Sequence, residues 1–207
     1  MREFPQILSD ATAALGPEYF QVPIAGRQRP IYRERVYCYE LYHQLRRRWP
    51  ERTIYSLAGE IDKKGHPLIR GNRLDDLKPD LLVHDPGDMG GNFAVIEVKP
   101  AEASTRGFEK DLRTLGAFLA HGEYKLGILL VYGDESRAPR LAARVGQVLT
   151  EHPDQSIELW WHRAAKRCCS TNPFTLIFCC LAKSFLFDPL VSIRHNEVSN
   201  GPIRAPN

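Results

Sequence analysis

The chain has 207 residues, 43% of them hydrophobic and 26% charged, which suits one folded domain, or one domain with an appendage, around a real core. Its formal net charge of +3 does not by itself announce a nucleic-acid partner, although a local basic patch can outweigh the total. Met1-Arg2-Glu3-Phe4-Pro5 lacks the basic segment and apolar stretch of a secretory signal, and the longest uncharged apolar run, Pro173 to Ala182, is too short to span a bilayer. Only Cys38 lies in the first three-quarters of the chain, so the expectation is a cytoplasmic protein with no membrane partner and no disulfide framework.

Residues 1–30 carry Pro5, Pro17, Pro23 and Pro30 with two glycines and read as an irregular N-terminal arm. A helix is predicted from Ile31, with Ile31, Cys38, Leu41, Tyr42, Leu45 and Trp49 on one face and Pro50 as its stop. Thr53 to Ala58 reads as a strand. Two more follow near 79–84 and 93–99, joined by the turn-rich Asp85-Pro86-Gly87-Asp88-Met89-Gly90-Gly91-Asn92, so they should form a hairpin. Pro100 is expected to end the second of these strands.

Phe108 to His121 reads as a helix with Leu112, Leu115, Phe118 and Leu119 inward. Lys125 to Tyr132 is a buried strand, Pro139 to Glu151 a helix, and Ile157 to Trp161 a last strand. The order α-β-β-β-α-β-α-β predicts an α/β domain over residues 31–163, a mixed sheet flanked by helices. Residues 164–207 have a different character. Cys168-Cys169 and Cys179-Cys180 do not follow C-x-x-C zinc spacing, and the last fifteen residues show no periodicity. That segment reads as a poorly ordered or opportunistically packed tail, or as the product of a shifted reading frame.

Charge placement on the hairpin is the informative feature. Asp80 opens one apolar strand, while Glu97 and Lys99 close the next, and a buried unpaired charge is costly. With His84 opposite Phe93, counting back along both strands sets Asp80 opposite Glu97, with Cβ atoms roughly 5 Å apart on a shared face. Two carboxylates so placed repel unless a cation lies between them. A hard divalent ion such as Mg²⁺ accepts one or two carboxylates and keeps several waters. Lys99, two residues beyond Glu97 and on the same face, can then hold a phosphate oxygen or orient an attacking water. Such charges suit phosphodiester hydrolysis. The plainer alternative is a salt-bridge cluster at the rim of the sheet.

Pro79-Asp80, sixteen intervening residues and then Glu97-Val98-Lys99, set within an α-β-β-β-α-β order over roughly residues 31–162, resembles the PD-(D/E)XK, or restriction-endonuclease-like, nuclease superfamily. The resemblance implies that Asp80 and Glu97 ligate Mg²⁺ or Mn²⁺ and that Lys99 assists the nucleophile. It also implies a glutamate from the first helix. Of the two candidates, Glu34 falls about 40° from Cys38 around the helix and Glu40 about 160° away, so Glu34 is preferred. An acid at a helix start also suits the macrodipole without any catalytic duty.

Remaining features have bland readings beside sharp ones. Arg46-Arg47-Arg48 could grip phosphates, yet such a run more often forms the solvated side of a helix. Glu60, Asp62, Lys63 and Lys64 could reach the site or simply form a polar turn. Trp160-Trp161 could stack on bases, but strand alternation should bury at least one of them. His84 reads as a hairpin residue. The leading expectation is a metal-dependent nuclease acting on nucleic acid, DNA first, in host defence or DNA processing, with homodimer formation left open. A nuclease-fold binding or regulatory module without catalysis, and a protein-interaction domain using the apolar tail, are the alternatives.

Overall fold

The computed structural model describes residues 3–60, 74, 77–134, 138–151 and 156–163. The C-terminal segment 164–207, with its four cysteines, lies outside the described residues, as do Asp62, Lys63 and Lys64.

The N-terminal stretch is not an irregular arm. It forms helix α1, Phe4–Ala13, because Phe4, Ile7, Leu8 and Ala11 recur at the spacing of one helical face, and all four are buried. Pro5 starts this helix instead of breaking it, since a first-turn proline lacks only an N–H that would have no intrahelical partner. Strand β1, Gln21–Val22, pairs antiparallel with β2, Ile31–Tyr32. Ile31 therefore belongs to a two-residue strand, and the next helix, α2, runs over Glu34–Arg47. Phe4, Leu8, Ala11, Leu15 and Phe20 share one core with Tyr37, Leu41 and Leu45 of α2, so residue 30 is no domain boundary.

The main sheet holds β3 (Ser56–Gly59), β4 (Leu81–His84), β5 (Ala94–Pro100), β6 (Leu126–Gly133) and β7 (Ile157–Arg163), in that spatial order. The pairs β3/β4 and β4/β5 are antiparallel, whereas β5/β6 and β6/β7 are parallel. Helices α3 (Thr105–His121) and α4 (Ala138–Glu151) make the two crossovers that parallel neighbours require. The protein is thus α/β, a five-stranded mixed sheet flanked by helices, as the element order predicted.

β3 begins three residues later than expected. Thr53 Oγ1 accepts from the Tyr55 amide at 3.1 Å, and Trp49 Nε1 donates to the Tyr55 carbonyl at 2.9 Å, which holds this stretch out of the ladder. β5 extends one residue further than expected. Pro100 pairs with Tyr132, and the ladder is picked up beyond it by the Ala101 amide, 2.8 Å from the Tyr132 carbonyl.

Side-chain alternation sorts the sheet into two layers. Leu81, Val83, Ala94, Ile96, Val98, Ile128 and Leu130 face α1 and α2. Leu82, Val95, Leu129 and Val131 face the side where Phe108, Leu112, Leu115 and Phe118 of α3 pack. Asp80, Glu97 and Lys99 have the parity of the second set.

Candidate active site at the end of the hairpin

Leu81 pairs with Ile96, Leu82 with Val95 and Val83 with Ala94, so one step further along the hairpin Asp80 faces Glu97. Asp80 is pinned from both sides. Its carbonyl accepts from the Glu60 amide at 3.1 Å, and its Oδ2 accepts from the Val98 amide at 2.7 Å. Its side chain thereby takes over the ladder position that its backbone leaves.

Glu97 is buried, with 6% exposure, and faces Asp80 across the hairpin. Burial pushes Asp80 up to about 6, opposed by the Val98 N–H and reinforced by the charge of Glu34. Burial pushes Glu97 well above the usual carboxylate range, and the neighbouring charges of Asp80 and Asp111 add to it. Two ionised carboxylates in one dry site repel strongly, so the pair favours holding a proton.

Lys99 Nζ lies 2.8 Å from Glu34 Oε2 and 3.2 Å from Asp111 Oδ2. Burial works to lower the lysine, but the hydrogen bond to Glu34 and the charge of Asp111 outweigh it, so the ammonium stays protonated. Glu34 reaches Lys99 from the first turn of α2, the helix that covers the opposite face of the sheet. Glu40 instead accepts from Gln44 on its own helix.

Asp111 escaped the sequence reading. It sits on α3, 3% exposed, and burial raises it to about 6 against the opposing pull of Lys99. Its Oδ2 is fully enclosed and makes an ion contact with Lys99 without hydrogen-bond geometry. The signal was available: Asp111 lies three residues after Phe108 and one before Leu112, on the apolar face of its helix, where an unpartnered acid has no place. The site therefore gathers four carboxyl groups, those of Glu34, Asp80, Glu97 and Asp111, about one ammonium. Cys38 closes it from α2; burial raises its thiol well above the ordinary value, and the charges of Asp80 and Glu34 raise it further.

Other candidates fall elsewhere. Arg46 and Arg47 are exposed, while Arg48 donates to the Gln44 carbonyl and Oε1 at 3.1 and 2.7 Å. Trp161 is buried, and half-buried Trp160 packs against the core with its Nε1 donating to Glu158 at 2.9 Å. His84 ends β4, half-buried. Glu60 takes a left-handed backbone with φ of 44° and pairs with Arg35 at 3.2 Å.

Among the described residues, no group of three or more His, Cys, Asp or Glu side chains is placed to hold a metal ion. Asp80 and Glu97 offer two carboxylates, a donor set that suits a hard divalent cation completing its shell with water, and their mutual repulsion favours positive charge between them. No helix among the described residues is long and apolar enough to cross a membrane. No protein-family model, curated protein or solved structure matches the chain.

Proposed function

We propose that the protein is a metal-dependent nuclease of the restriction-endonuclease-like fold, hydrolysing phosphodiester bonds in nucleic acid, with DNA as the leading substrate. The observation that carries this reading is the buried Asp80–Glu97 pair facing across the hairpin with the Lys99 ammonium beside it. A structural cluster would balance its charges, whereas this one assembles four carboxyls around one lysine in a largely enclosed site. Stability alone gives no reason for such an excess.

Asp80 and Glu97 would hold Mg²⁺ or Mn²⁺, which supplies Lewis-acid stabilisation of charge on the phosphoryl oxygens and lowers the pKa of a water ligand. The hydrogen bond from the Val98 amide fixes the Asp80 carboxylate before any ligand arrives. Lys99 has three N–H donors. Glu34 takes one and Asp111 faces another, leaving donor capacity for a non-bridging phosphate oxygen or the attacking water. Glu34, whose side chain is 36% exposed against 4% for Asp111, is placed to exchange its lysine contact for a contact with that water.

The test is incubation of the purified chain with single- and double-stranded DNA and RNA in Mg²⁺, in Mn²⁺ and in EDTA. Cleavage is expected with either metal and none with EDTA; no cleavage of any substrate with either metal overturns the proposal.

A further inference from the structure

Helix α2 carries Glu34 into the site on one side and shows solvent an unusual face on another. Between Arg33 and Arg48 the chain places five arginines against two glutamates. One of those glutamates, Glu34, is engaged with Lys99, and the other, Glu40, with Gln44. Arg33, Arg35, Arg46 and Arg47 are exposed. Large apolar side chains standing exposed among the described residues are Val36, Tyr39 and Ile54, and two of them lie on this helix. Tyr39 is 62% exposed, so its ring presents a flat apolar face to solvent with a polar hydroxyl at its tip.

The spacing orders these groups. Arg35, Tyr39, Tyr42 and Arg46 stand at i, i+4, i+7 and i+11, one stripe about 16 Å long. The stripe borders the candidate site. Arg35 pairs with Glu60, the residue whose amide holds the Asp80 carbonyl. A Cβ placed on Gly59 would stand 3.9 Å from the Tyr42 ring and 3.5 Å from that same carbonyl oxygen. The Arg35–Glu60 pair is exposed on both sides, so it contributes little and yields readily to a phosphate.

We infer that this face of α2 is the track for a single-stranded segment of nucleic acid, with Arg35 and Arg46 on phosphates and an unpaired base stacked on Tyr39. Basic groups flanking an exposed ring match a polyanion that carries flat apolar faces. A duplex hides its base faces, which is why the ring selects for unpaired nucleotides. The inference rests on the nuclease reading for its ligand class, yet it is read out by binding and needs no cleavage.

The experiment measures binding of the full chain to a labelled single-stranded DNA oligonucleotide in EDTA, with single-stranded RNA, duplex DNA and inorganic polyphosphate as further arms. Tyr39→Ala is expected to weaken single-stranded binding roughly 5- to 150-fold and to leave polyphosphate binding unchanged, with Tyr39→Phe restoring most of the affinity. Arg46→Ala should weaken both ligands and lower the salt dependence of single-strand binding by about 0.7 in log–log slope. These residues are exposed, so folding is not at stake. Wild-type binding with no cleavage of any substrate in Mg²⁺ or Mn²⁺ would sink the nuclease reading while supporting the track. Tyr39→Ala and Arg46→Ala variants that bind like wild type overturn the track, as does a Tyr39→Ala loss equally large on polyphosphate.

Discussion

Asp80 Oδ2 accepts a 2.7 Å hydrogen bond from the Val98 amide, so the acid that opens β4 is fixed by the backbone residue between Glu97 and Lys99. One carboxylate oxygen is thereby committed to the sheet, leaving the other for Glu97 or for a cation. Glu97→Gln should keep a side chain of the same size facing Asp80, with an amide that can donate to its carboxylate, while removing the charge that Glu97 would offer a cation. Divalent-ion binding, followed by calorimetry, is expected to weaken at least tenfold and cleavage to be lost, with nucleic-acid affinity in EDTA unchanged or slightly higher. A Glu97→Gln protein that cuts like wild type would exclude Glu97 as a ligand.

Lys99 and Asp111 form a pair whose coupling can be measured apart from catalysis. Removing the lysine leaves Asp111 enclosed without its ion-pair partner, and removing the acid costs Lys99 its most deeply buried anion. Lys99→Ala and Asp111→Asn should each destabilise the fold in urea, and the double variant should lose less than the sum by on the order of 1–3 kcal/mol. In cleavage, Asp111→Asn should lower kcat in the wild-type background and change little beside Lys99→Ala. Additive losses in both readouts would mean that Asp111 does not act through Lys99.

How far this site could be read beforehand follows from the physics of each element. Hairpin register was countable because strand side chains alternate and the turn is rich in Gly, Pro and Asp, so Asp80 opposite Glu97 needed no tertiary information. Glu34 against Lys99 needed only helical phase, fixed by Cys38, Leu41 and Leu45. Asp111 was hidden because α3 was read for its apolar residues alone, although the acid among them carried the message. Helix α1 was hidden because its prolines suggested an arm, and only one of them, Pro5, lies in the helix, at a position where proline helps. The exposed ring of Tyr39 could not be foreseen, since α2 phase places it on the polar side but only tertiary packing shows that nothing covers it.

The inclusion of α1 in the core has its own test. Leu8 is fully buried in the core that it shares with Leu41 of α2 and Ile96 of β5. Leu8→Ala should destabilise the protein by about 2–5 kcal/mol in urea denaturation, through lost transfer energy and an unfilled cavity. Gln6→Ala, on the exposed side of the same helix, should stay within about 0.5 kcal/mol. Equal midpoints for Leu8→Ala and wild type would mean that the N-terminal helix is not packed in solution.

His162 supplies a pH dependence outside the carboxylate site. It lies near the end of β7, where its Nδ1 is 2.8 Å from Tyr37 Oη and its ring meets Phe20 edge-on at 4.7 Å. Burial lowers its pKa to about 4, from an ordinary value of 6.5. A base held neutral in the fold binds fewer protons than the unfolded chain between those two values. Its contribution is therefore intact above about pH 6.5 and falls away as the pH drops toward 4. At pH 5 the loss is on the order of 2 kcal/mol relative to pH 7. Raised carboxyl groups such as Asp111 act with the opposite sign in an overlapping window, so wild type alone does not isolate the effect. His162→Gln keeps a polar partner for Tyr37 without titrating. Urea midpoints of the two proteins should converge as the pH falls from 7 to 5, the variant losing less stability than wild type. Parallel curves across that range would show that His162 is already solvated, and the packing of Tyr37 between His162 and Tyr132 would have to be redrawn.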